Sequence, residues 1–185
     1  MAASDMRIHH RVLREDGTDA PPVRIELLAD NPHLIPAIGQ MRYKEWGEPT
    51  TTGSEGVDAW IEITSHEAGR DKLPVTWVAI DEYGDAIGAA GVLPGSDIAD
   101  RPEFSPSVVG VIVDQRQRRM GAGRRLLAVI EQWAHDHGIG QLYVVTGDDA
   151  TGFYRKCGWE VVEETTITWP SVNVTEHVTI LTRIV

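Results

Sequence analysis

Arg118-Arg119-Met120-Gly121-Ala122-Gly123 stands a few residues after the apolar run 108–113, and its reading decides the fold. The run is rich in β-branched residues and reads as a strand. Leu126, Leu127, Ile130, Trp133 and Ala134 then recur at helical spacing, and Gly138 stops the pattern. Strand, glycine-bearing turn and helix in succession present the free N–H groups of a helix N-terminus. Such a turn binds phosphate, because unpaired donors and the positive end of the helix dipole both favour an anion. Arg118, Arg119, Arg124 and Arg125 gather at the same place in a chain of formal net charge −11, so the basic cluster asks for a local cause. No Gly-Lys-Ser/Thr follows, which disfavours a P-loop. Leu126 stands where a dinucleotide fold needs its third glycine. Alone, the glycine pair fits a plain strand-to-helix connection equally well.

Downstream, Phe153-Tyr154-Arg155-Lys156-Cys157-Gly158-Trp159 joins an aromatic–tyrosine pair, a basic step and a Gly–aromatic step. One helix and one strand, Gln141–Thr146, fit between the two runs. Together they resemble the GCN5-related N-acetyltransferases. Arg118, Gly121 and Gly123 fill that family's acetyl-CoA signature, Arg/Gln-x-x-Gly-x-Gly/Ala. The likeness is most specific over residues 108–160, and the order of elements extends it over most of the chain. It implies an acetyl-CoA-dependent acyltransferase in which Arg118, Arg119, Met120, Gly121, Ala122, Gly123 and Arg124 hold the pyrophosphate. It also implies that the strand Val111, Ile112 and Val113 pairs with the pantetheine arm, as a strand pairs with a peptide. Thr146 is expected along the same arm, and the Tyr154 hydroxyl beside the sulfur.

The whole chain fits an α/β mixed sheet in the order β-α-α-β-β-β-α-β-α-β-β, and the resemblance implies a splayed parallel pair at its centre. At 185 residues it suits one domain with a sizeable core. Residues 1–22 are polar and read as an extension; 23–185 form the domain. Strands are expected at 23–28, 75–80, 86–92, 108–113, 141–146, 159–169 and 174–185. Asp30-Asn31-Pro32 reads as a helix cap, and Leu34, Ile35, Ile38, Met41 and Trp46 as the inner face of the helix after it. Val57, Trp60, Ile61 and Thr64 mark a second helix, and 149–157 a short one. No apolar stretch reaches membrane length and no signal peptide is visible. A single Cys157 forms no internal disulfide, so the cytoplasm is the expected compartment. The histidines show no metal-site spacing, and no metal is expected.

Acetyl transfer from a thioester to an amine needs a proton removed from nitrogen, donors for the oxyanion and a stabilised leaving thiolate. The resemblance gives the last task to Tyr154, a neutral phenol with an ordinary pKa of ~10. A main-chain N–H of Val113 or Ile112 would polarise the carbonyl. Many family members carry a glutamate base on the strand before the signature, and residues 108–113 contain none. Candidates elsewhere are Asp97, Glu103, Glu45, Glu48 and His177, or a water chain; Asp114 sits too near the turn. The family also often places Asn seven residues before the tyrosine, where this chain has Gly147.

Acids cluster where the fold would border the acceptor cleft: Glu45, Glu48, Glu55 and Asp58 in one segment, Asp97, Asp100 and Glu103 in the other. Singly, each is as well explained as a solvated loop residue. Trp46, Trp60 and Trp169 could wall a sugar or cyclitol ring, with core packing the plainer reading of Trp60. The expected substrate is a small-molecule amine contacted by Glu45, Trp46, Glu48, Asp97 and Glu103. Lys44-Glu45-Trp46-Gly47 and the run 153–159 look like the aminoglycoside 2′-N-acetyltransferases that inactivate kasugamycin. A peptide N-terminal acetyltransferase and a non-catalytic acetyl-CoA sensor are the alternatives. Nucleic acid and membrane are not expected partners; a homodimer is allowed.

Overall fold

The computed structural model describes residues 23–47, 54–169 and 174–185, with backbone alone at Trp169 and Val174. Among these, the elements follow the expected order: β1 (Arg24–Leu27), α1 (Ile35–Trp46), α2 (Gly56–His66), β2 (Val75–Ile80), β3 (Ala86–Leu93), β4 (Ser107–Val113), α3 (Ala122–Asp136), β5 (Gln141–Thr146), α4 (Asp148–Lys156), β6 (Glu160–Trp169) and β7 (Val174–Ile184). The strands form one seven-stranded mixed sheet in the order β1-β2-β3-β4-β5-β7-β6. The expected extension, residues 1–22, lies outside the described residues.

Helices cover both faces of the sheet, so β2 is buried at every position instead of alternating. On one face, Leu126, Leu127, Ile130 and Ala134 of α3 pack on Trp77, Ala90, Val108 and Leu142. On the other, Leu28, Leu34 and Ile38 pack on Val78, Ile80, Ala89 and Ile112. Burying each such leucine or isoleucine contributes about 1.5–3 kcal/mol.

The centre of the sheet is where the fold prepares a site. Only β4 and β5 run parallel, and they pair solely through Ser107 with Tyr143 and Val108 with Val144. Beyond Val108 they part. Gly110 adopts φ 61°, and the β3–β4 register slips between Ala89 and Gly91. That bulge turns β4 away from its neighbour. The guanidinium of Arg42 lies against Gly110 and leaves no room for a Cβ there, so the position needs glycine on two grounds.

Two local expectations fail. Asn31 does not cap a helix with its side chain; it donates to Glu26 and to the Leu27 carbonyl, each at 3.1 Å. Pro32–Leu34 makes one 3-10 turn, and α1 starts at Ile35. Nor does Trp46 belong to the inner face of α1, being 45% exposed. Arg42, one turn after Ile38, points inward instead and is 1% exposed. No helix among the described residues is long and apolar enough to cross a membrane.

Candidate active site

The split between β4 and β5 is open toward the start of α3. The Asp114 N–H donates to the Ile87 carbonyl at 2.9 Å, with Gly88 opposite Val113 and Ala89 opposite Ile112. Antiparallel alternation therefore directs the Ile112 N–H toward β3 and those of Val113 and Val111 away from it. On that side β5 has already left, so these two N–H groups face the split. Of the expected strand edge, Ile112 is the exception: its N–H is spent on β3, and its side chain packs under α1. The candidate for polarising a thioester carbonyl narrows from two residues to Val113.

Below the split, Gly121 caps α3 at φ 85° without any side-chain cap bond, which leaves the first-turn N–H groups without that partner. Arg119, at φ 65°, is the non-glycine residue held in a left-handed turn. Gly123 has a further reason to be small: a Cβ there would press on the Phe153 ring at 3.1 Å. The expected basic cluster divides. Arg118 donates through Nε to the Val113 carbonyl at 2.9 Å and through Nη2 to Glu45 at 2.7 Å. Arg124 lies near Cys157, whose thiol pKa is raised by burial and partly offset by that arginine. A cleft of about 410 Å³ opens here, lined by Met41, Lys44, Glu45, Val113, Arg116 and Arg118. A split strand edge, an uncapped helix start and a basic cleft in line fit an extended amide arm ending in phosphates.

At the closed end stands Tyr154, 5% exposed, its ring edge-on to Phe153 and Trp159 at 5.1 and 5.8 Å. Its hydroxyl makes no hydrogen bond among the described residues. Burial, helped by the nearby Cys157 and Asp97 charges, raises its pKa above the ordinary phenol range. The phenol thus keeps its proton throughout the working pH range. Asp97 is exposed to water. Desolvation and the Glu67 carboxylate raise its pKa to about 6. Its backbone N–H bonds Ser107 Oγ at 3.2 Å, which fixes it where β4 and β5 begin to part.

Beside this lies a group that periodicity did not reveal. Arg42 Nη1 bonds Thr64 Oγ1 at 3.1 Å and Glu67 Oε2 at 2.7 Å, while Nε and Nη2 are buried without partners. Its guanidinium also lies 5.9 Å from the Trp60 ring. The only hint in the sequence is an arginine at the inward spacing of an otherwise apolar helix face.

The remaining acceptor candidates scatter. Trp46 and Trp60 meet at 5.5 Å, and the Trp60 indole donates to the Gly47 carbonyl at 2.7 Å. Glu103 is taken by Arg101 at 2.6 Å, and Arg101 also binds Glu163 at 2.8 Å; that pairing lowers the Glu103 pKa. His177 bonds Asp148 at 3.0 Å on the surface. Thr146 ends β5, paired across to Thr179 of β7. Glu48 and the Trp169 side chain lie outside the described residues. No cluster of three or more His, Cys, Asp or Glu suited to a metal occurs among the described residues.

Comparison with known proteins gives the family. Residues 36–159 match the Acetyltransferase (GNAT) family. The chain belongs to that family: it is an N-acetyltransferase, and acetyl-CoA is its cosubstrate. No curated protein matches it. Solved structures share the fold at low identity. A GNAT-family acetyltransferase from Streptococcus pneumoniae aligns with TM-score 0.64 and 16% identity, over 89% of this chain and all of the other. An aminoglycoside 6′-N-acetyltransferase complexed with coenzyme A gives 0.64 and 16%, over 87% and 96%. The ribosomal-protein-S5-alanine acetyltransferase of Vibrio fischeri gives 0.65 and 14%, over 88% and 92%.

Proposed function

We propose that this acetyltransferase acts on a primary amine of a cationic small molecule, an aminoglycoside of the kasugamycin kind. The acceptor side carries the reading. Trp46 stands exposed beside Trp60, Glu45 lies one residue away on α1, and the Asp97 carboxyl is open to water without an ion-pair partner among the described residues. An aromatic face packs a sugar or cyclitol ring, and carboxylates hold the ammonium groups that do not react.

In this reading Arg118, Arg119, Met120 and the turn Gly121, Ala122 and Gly123 hold the pyrophosphate, with Arg124 at its flank. Val111 and Val113 pair with the pantetheine arm, alongside Thr146. The Val113 N–H stabilises charge on the carbonyl oxygen. Tyr154, kept neutral by burial, donates its hydroxyl hydrogen to the departing sulfur.

The test is thiol release from acetyl-CoA with kasugamycin, kanamycin, spermidine and short peptides. Turnover of an aminoglycoside supports the proposal. Turnover of peptide N-termini alone would replace the acceptor and leave the family assignment intact. Tight acetyl-CoA binding without transfer to any amine would favour a sensor.

A further inference from the structure

The closed end of the split holds a carboxyl that forms neither a hydrogen bond nor an ion pair among the described residues. The other base candidates Glu45, Glu103 and His177 are engaged: Glu45 by Arg118, Glu103 by Arg101, and the His177 ring by Asp148. Asp97 uses only its backbone N–H, toward Ser107. That bond sets it beside Ser107, the first residue of β4, one residue before the last β4–β5 pair. Water reaches the side chain, and its charge is felt by the Tyr154 hydroxyl.

Glu67 stands on the opposite wall. Its carbonyl accepts the Thr76 hydroxyl at 3.0 Å, and Thr76 lies opposite Gly91 in the β2–β3 ladder. The end of α2 is thereby tied to the strand from which the Asp97 loop departs. Its carboxylate takes Arg42 Nη1 at 2.7 Å, and Arg42 is fully surrounded between α1, α2 and Gly110. That guanidinium is the cation that pairs with the Glu67 carboxylate. Two carboxylates share one region, then, and only one has a cation of its own. The other resists ionising and holds a proton more readily, a division that suits a proton acceptor working near neutrality.

We propose that Asp97 takes the proton from the acceptor amine, and that Glu67, held by Arg42, is the positioning residue that keeps it basic. The step rests on acetyl transfer to an amine, whichever amine that is. An ammonium gives one proton to the Asp97 carboxylate. The freed nitrogen lone pair forms the C–N bond as the carbonyl π pair moves onto oxygen, facing the Val113 N–H. When that pair returns, the C–S bond breaks and the thiolate takes the Tyr154 proton. The second nitrogen proton restores the phenol, and Asp97 releases its own to water. The products are the amide, the thiol and one proton.

The groups facing Asp97 are few. Glu67 comes from the end of α2 and Tyr154 from α4. Arg101, Glu103 and Glu163 form a separate cluster farther along the same loop. With Asp97 at about 6, most of it is ionised at neutral pH. Acceptor kcat/KM should therefore rise with pH through about 6, at the same pH for amines of different basicity.

The experiment measures pH profiles of thiol release for wild type, Asp97→Asn and Glu67→Gln, using kanamycin, spermidine and an alanine-terminated peptide. Slow hydrolysis of acetyl-CoA serves as the probe where no amine turns over, because water must lose a proton to the same base. Asp97→Asn should lower the rate by ~10²–10⁴-fold and remove the limb near pH 6, with acetyl-CoA affinity unchanged. Glu67→Gln should move the limb to lower pH. A folding control follows from the sign of the shift. A carboxyl whose pKa is raised in the folded state costs stability once pH exceeds its unfolded value of ~4. Asp97→Asn should therefore melt no lower than wild type at pH 7. Carbon-13 NMR of labelled aspartate gives an arm that needs no acceptor. A wild-type rate and an unmoved limb in Asp97→Asn, or an Asp97 titration near its ordinary value, would overturn the proposal. Failure of every amine with an intact hydrolysis effect would instead remove only the choice of acceptor.

Discussion

At the open end of the β4–β5 split, arginines and bare backbone N–H groups surround a surface cleft. At the closed end, Arg42 is 1% exposed and paired with Glu67, and Tyr154 is 5% exposed. In the proposed reading the open end recognises a ligand through main chain and arginines, so its residues lie in one short stretch. The closed end would do chemistry through side chains delivered by α1, the end of α2, the β3–β4 loop and α4, each from a different part of the chain. Variants at the two ends should fail in different ways: one in cofactor affinity, the other in rate.

The largest expected effect lies at the closed end. Tyr154→Phe removes one hydroxyl from a well-packed ring and should leave the fold intact. kcat should fall by ~10²–10⁴-fold, as for a general acid, with acetyl-CoA affinity little changed. Because burial raises the phenol pKa, its ionisation should contribute no alkaline fall in wild-type kcat below pH ~10. Stopped-flow and steady-state thiol release read both. Wild-type turnover in Tyr154→Phe would reduce the tyrosine to a packing residue and erase the contrast between the two ends.

Gly121→Asp strikes the open end. Gly121 sits at φ 85°, where a side chain costs about 1–2 kcal/mol, and the new carboxylate would oppose phosphate at the helix start. Calorimetry should show acetyl-CoA binding weakened by roughly 100-fold, or ~3 kcal/mol. Normal affinity in a folded variant would move the pyrophosphate elsewhere.

That asymmetry also explains what could be read without coordinates. The strand, the turn 118–123 and α3 are contiguous, and their periodicities are strong, so this part of the fold is legible as one unit. Elements moved by a residue or two at their ends. The alternation that directs the Val113 N–H into the split and the Ile112 N–H away depends on register with β3, which no local pattern encodes. Arg42 looked like any helical arginine, because its inward position is set by the packing of α1 on the sheet and by a glycine 68 residues later. Asp97 was one acid among several; what distinguishes it is the company of Glu67 and the lack of a partner.

The smallest effect concerns the contact that joins the two regions. Glu45, from the acceptor side, lies on Arg118, from the cofactor side, at 2.7 Å, with side chains 30% and 43% exposed. In the proposed reading a carboxylate there occupies a cation that the phosphates would use. Binding of acetyl-CoA would then exchange one anion for another, and the released Glu45 would become available to an acceptor ammonium. Exposed pairs of this kind are worth about 0–1 kcal/mol, so Glu45→Gln should tighten acetyl-CoA by no more than about five-fold. The acceptor KM should rise by a similar factor, and both changes should shrink in high salt as the charges are screened. Initial-rate patterns should be ordered in wild type, with acetyl-CoA first, and less strictly ordered in the variant. If Glu45→Gln instead weakens acetyl-CoA, Glu45 is holding Arg118 in position for the phosphates, and the open end is preorganised by the very residue that would otherwise link it to the acceptor.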